Sequence, residues 1–114
     1  MRLAFFHNFP SGGAKRCAHE LIKLLSKKHE IDLFIYDKHA EDFLDIRHFV
    51  NKTILVNGGE TKNGKGLGRL ISLKIVKSAS KRTADIINLG NYDIALIMQC
   101  KVANSPFVLR YLKI

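Results

Sequence analysis

The sequence predicts an α/β fold built on a parallel sheet. Four short runs rich in apolar and β-branched residues recur at 2–6, 31–36, 53–56 and 94–98. Segments of helical periodicity separate the first run from the second and the third from the fourth. A glycine-containing turn joins the first run to the first helical segment. Strand, turn, helix and strand in this order form a βαβ unit, whose strands must be parallel.

Residues 2–6 make a short apolar first strand. Residues 8–13 (NFPSGG) are dense in turn formers. Ala14, Cys17, Ala18, Leu21, Ile22 and Leu25 then recur at offsets of three and four and define one helical face. Lys15, Arg16, His19, Glu20, Lys23 and Lys27 fall on the opposite, solvent-facing side. Lys27 and Lys28 suit the carbonyl end of this helix. Residues 31–36 form the second strand, and 38–49 a loop with a short helical turn. The third strand is 53–56, and the segment 57–68, with five glycines, reads as a loop. A long helix follows over 67–89, with Leu70, Ile71, Ile75, Ala79, Ile86 and Ile87 among its apolar positions and Gly90 at its end. Residues 94–98 show no polar alternation and read as a strand covered on both faces. Ser105 and Pro106 mark the start of a last helix running to the end of the chain. The order β-α-β-β-α-β-α is that of a doubly wound sheet. It stops after a helix, where another parallel strand is due, so residues 1–114 are expected to be a partial domain.

Composition limits the function. The 114 residues are 46% hydrophobic and 25% charged, a globular balance. No apolar run approaches the roughly 18 residues that span a bilayer, and the N-terminal run is too short for a signal peptide. The expected location is therefore cytoplasmic. Cys17 and Cys100 form no CxxC pair and read as small buried hydrophobes, and the five histidines lack metal-ligand spacing. No metal is expected.

The net charge of +9 is unevenly spread. Residues 1–57 carry nine Lys/Arg and seven Asp/Glu, whereas residues 58–114 carry ten and three. Arg69, Lys74, Lys77, Lys81 and Arg82 form a basic stripe on the long helix, which reads either as a solvated face or as a surface for anionic lipid headgroups. Nucleic acid is not expected as a partner, because neither an RNP motif nor a helix-turn-helix is present.

Two loops invite phosphate. Gly12 and Gly13 lie between strand and helix, where a helix N-terminus offers free N–H groups, and the competing reading is a plain tight turn. Arg16 is a neighbouring cation, and His7, Asn8 and Ser11 flank the same strand end. The run 59–66 (GETKNGKG) approaches G-x-x-x-x-G-K-[ST], but Gly66 replaces the hydroxyl that would hold Mg²⁺. Asp37, closing the second strand, imitates a metal-binding Asp only weakly.

The opening segment carries a resemblance. His7-Asn8, a short spacer, then Gly12-Gly13-Ala14-Lys15-Arg16 is similar to the start of family-4-type glycosyltransferases, which place His-Asn and Gly-Gly-Ala-Glu-Arg after a hydrophobic first strand. His29-Glu30-Ile31-Asp32-Leu33 stands where that family begins its next strand, and Asn91-Tyr92-Asp93-Ile94, Asn104-Ser105-Pro106 and 109–113 also resemble the group. Lys15 departs from the family's Glu. The resemblance implies a Rossmann-like N-terminal domain of the two-domain GT-B architecture. It implies an enzyme that moves a sugar from a nucleotide-sugar to a glycan or lipid-linked acceptor, with the nucleotide-sugar as substrate and no cofactor. Gly12, Gly13 and Arg16 would lie near the donor phosphates. The family's Glu-x₇-Glu motif belongs to the other domain, and its N-domain catalytic His would lie beyond Ile114, so no catalytic residue is assigned here and the chain alone is expected to be inactive. Many members work at the cytoplasmic membrane face, in keeping with the basic stripe. The alternative is a small non-catalytic module that binds phosphate or nucleotide.

Overall fold

The computed structural model describes residues 1–8, 13–36, 44–56, 67–100 and 107–113. Four strands, β1 (Arg2–Asn8), β2 (Glu30–Ile35), β3 (Lys52–Leu55) and β4 (Ile94–Cys100), form one all-parallel sheet in the order β3-β2-β1-β4. Helix α1 (Gly13–Leu25) links β1 to β2, and α2 (Leu67–Leu89) lies between β3 and β4. The fold is the expected Rossmann-like α/β fold.

Alternation along the strands builds two cores. Leu3, Phe5, Ile31, Leu33 and Ile35 face α1, where they pack on Ala18, Ile22 and Ile46. Ala4, Phe6, Phe34 and Tyr36 face α2, against Ala79, Ala84 and Ile87. The second contact pairs large with small. The buried α2 positions on this face include the small Ala79, Ser80, Thr83 and Ala84 beside Ile87. Tyr36 donates its hydroxyl hydrogen to Ser80 Oγ at 2.6 Å, so the polar atoms buried there are satisfied. Burial of each phenylalanine contributes about 2 kcal/mol.

Four expectations need correction. Cys17 is exposed, not buried. The buried row of α1 runs Lys15, Ala18 and Ile22, with Leu25 partly covered, and Cys17, Leu21 and Leu24 form the next row, turned to solvent. The apolar arc is wider than the strip the sheet covers. Lys15, expected outside, is 0% exposed, because its long stem continues the buried row over the end of β1. β4 is an edge strand. Ile94 is 41% exposed, and among the described residues no strand pairs with its outer side. The last helix is only a 3-10 turn, Phe107–Arg110. Beyond it, the Lys113 N–H bonds to Asn88 Oδ1 at 2.8 Å, so this backbone donor goes to α2 and not to a helix of its own. A second 3-10 turn, Arg47–Phe49, sits in the connection where a short helical turn is expected.

Candidate functional site

The strand order defines the site. From β1 the chain crosses by α1 to β2 on one side, and α2 later returns it to β4 on the other side. The boundary between β1 and β4 is thus a topological switch point, and in open parallel sheets ligands bind in the crevice beyond the C-terminal strand ends at such a point. His7 and Asn8 end β1 there, and α1 begins at Gly13. The β1–β4 ladder is irregular at the same place. Phe6 pairs with Ile97 and Asn8 with Cys100, so β4 carries one extra residue. Such a bulge breaks the regular pairing and re-aims the backbone next to a site.

Two basic side chains form the floor of this end. His7 is 0% exposed and lies 5.9 Å from the Phe5 ring on the α1 face of the sheet. Lys15 Nζ approaches His7 Nε2 at 3.4 Å. A buried ammonium in the first turn of a helix is both desolvated and set against the positive end of the macrodipole. The sequence reading counted Lys15 as solvent-facing. The missed signal is the spacing of Lys15, Ala18, Ile22 and Leu25, which places the lysine on the buried row.

Gly13 and Arg16 are exposed, one turn apart, at the N-terminal end of α1. A Cβ at Gly13 would meet nothing within 4 Å, so neither crowding nor a left-handed backbone explains the glycine. Gly12, Ser11, Asp37 and the run 59–66 lie outside the described residues.

The basic residues of the long helix lie elsewhere. Arg69 lies in the first turn of α2, and Lys74, Lys77, Lys81 and Arg82 are exposed on that helix, which covers the sheet face opposite α1.

The other end of the sheet holds a cluster that sequence reasoning passed over. Asp32 is 2% exposed. It accepts hydrogen bonds from the Tyr92 hydroxyl at 2.5 Å and Arg2 Nη2 at 3.4 Å, with Lys52 Nζ at 3.9 Å. Burial, with the hydrogen bond to Asp32 next, raises the Tyr92 pKa well above the ordinary tyrosine range. Arg2 lies over the Tyr92 ring, 4.9 Å from its centroid, and the Phe34 ring meets it edge-on. Here each buried charge has a counter-charge, the arrangement of a structural latch.

Among the described residues no three His, Cys, Asp or Glu side chains gather as for a metal ion, and no helix is long and apolar enough to cross a membrane. Comparison with known proteins finds no matching family model, no similar curated protein and no similar solved structure.

Proposed function

We propose that this chain is the N-terminal, acceptor-side part of a GT-B glycosyltransferase of the family-4 type, and that the complete enzyme transfers a sugar from a nucleotide-sugar to a glycan or lipid-linked acceptor. The observation that carries the reading is the β1/β4 switch point with Gly13 and the α1 N-terminus beside it. Transfer breaks the bond between the sugar's anomeric carbon and the donor diphosphate, and negative charge grows on the departing phosphate. Backbone N–H groups at a helix start and nearby cations stabilise that charge. In this reading the first N–H groups of α1 and the Arg16 guanidinium face the diphosphate. Gly13 leaves room for its approach. His7 and Lys15, being covered, act beneath as positioning residues that hold the strand end.

A ¹⁵N-resolved NMR titration with a panel of nucleoside-diphosphate sugars tests this. Amide shifts at Gly13, Lys15 and Arg16 are expected, stronger for one nucleotide than for the others. Shifts absent from these amides for every donor would overturn the reading. A parallel transfer assay is expected to show no product from residues 1–114 alone, and product formation would contradict the assignment to the acceptor-side part.

A further inference from the structure

Helix α1 carries a second apolar row beside the one it buries. Cys17, Leu21 and Leu24 recur at offsets of four and three and turn to solvent, Leu21 being 40% and Leu24 62% exposed. The row continues past the last residue of α1. The Ser26 N–H bonds to the Ile22 carbonyl at 2.9 Å and the His29 N–H to that of Leu25 at 3.0 Å, so the exposed Lys28 extends the same row. On the opposite flank of α1, the His19 ring meets the Phe49 ring edge-on at 5.3 Å, in the connection to β3. The leucine flank therefore faces the other way, towards the edge strand β4, where Ile94 is also exposed.

The charges select an occupant. A row spaced by four and three is the seam along which one helix packs on another. Glu20 and Lys27, both exposed, border this seam on its outer side, seven residues apart. Against a second copy of α1 running antiparallel, the register that sets Leu21 on the partner's Leu24 also sets Cys17 on the aliphatic stem of the partner's Lys28. The same register brings Glu20 to the partner's Lys27 and, by two-fold symmetry, Lys27 to the partner's Glu20. In a parallel pair Glu20 would meet the partner's Leu25 instead, and neither charge would be matched. A partner of one sign of charge would satisfy only one of the two residues, whereas this chain satisfies both. We infer that the outer flank of α1 is a self-docking surface, on which two copies of this chain pair antiparallel through Leu21 and Leu24 and are held in register by two symmetric Glu20–Lys27 ion pairs. The patch is small, so the dimer is weak and reversible. The inference does not rest on the reading of the β1/β4 crevice.

Sedimentation equilibrium over a wide range of concentration tests it. The average mass is expected to rise from 12.9 kDa towards twice that value as concentration rises. Leu24→Glu places a carboxylate in the seam and should abolish the dimer. Glu20→Lys alone, or Lys27→Glu alone, turns both ion pairs into repulsions and should weaken association about tenfold. The double variant E20K/K27E exchanges the charges and should restore association to within a few-fold of the original. The control, Lys23→Glu, changes the net charge as Lys27→Glu does, from an exposed site off the seam, and should leave the dimer in place. Circular dichroism verifies that each variant is folded. A monomer at every concentration would overturn the inference. So would a dimer that Leu24→Glu leaves intact, as one joined through the edge of β4 would be, or a double variant no better than its single parents.

Discussion

At the N-terminal ends of the strands, Asp32 is buried among Arg2, Lys52 and the Tyr92 hydroxyl, and opposite charges meet. At the C-terminal ends, His7 and Lys15 are buried side by side at the start of α1. One sheet therefore carries a closed, latched end and an end at which α1 begins. Packing and pairing account for the residues at the closed end. They do not account for Gly13 at the other, where a side chain would meet open space. Residues that stability fails to explain are the ones to test for binding.

The closed end should fail first under mutation. Asp32→Ala removes the counter-charge of Arg2 and Lys52 and strips the Tyr92 hydroxyl of its acceptor, with an expected loss of about 3 kcal/mol in denaturant unfolding. Gly90→Ala comes next. Its Cβ would stand 2.7 Å from Tyr92 Cε2 and 3.2 Å from the Ile86 carbonyl oxygen, so the ring must shift away from Asp32. A loss of about 2 kcal/mol is expected in the same measurement. At the end where α1 begins the pattern reverses. Arg16→Ala is expected to change stability by less than about 0.5 kcal/mol, because the side chain is exposed. It should weaken nucleotide-sugar binding about tenfold, as loss of one charged hydrogen bond does.

The smallest effects are those of pH. The Tyr92 pKa is raised by burial and by Asp32, so its stabilisation is complete below about pH 10 and declines as pH rises further. Tyr92→Phe should flatten that alkaline decline in a series of thermal melts. Asp45 behaves in the opposite sense. Its bidentate pairing with Arg47, at 3.0 and 2.8 Å, lowers its pKa. That stabilisation is complete above about pH 4 and fades as pH falls below it, and Arg47→Gln should reduce the fading.

The comparison also explains what the sequence could disclose. Strand runs and helical spacing made the four strands and two helices of the described residues legible, because β1 and β2, buried on both faces, write continuous apolar runs. The edge position of β4 was hidden for the same reason, since IALIMQC reads like any central strand. Lys15 was misplaced because a lysine is ordinarily a surface residue, and only the row through Ala18 and Ile22 betrays its burial. Cys17 was misplaced by one helical row. The last helix was overcalled because its Ser-Pro start is a local signal, whereas the capture of Lys113 by Asn88 is a tertiary one. The latch at Asp32 joins residues as far apart as Arg2 and Tyr92, 90 positions along the chain, beyond the reach of local spacing.

Gly13→Ala separates the two ends most directly, with stability and nucleotide-sugar affinity measured on the same sample. Open space at the Cβ position predicts a melting temperature that is unchanged or slightly raised, since alanine favours a helix over glycine by up to about 1 kcal/mol. The proposed approach of the diphosphate predicts that affinity falls at least about tenfold, the loss that goes with removing one charged contact. Retained affinity with unchanged stability would contradict the assignment of the β1/β4 crevice as the donor-phosphate site.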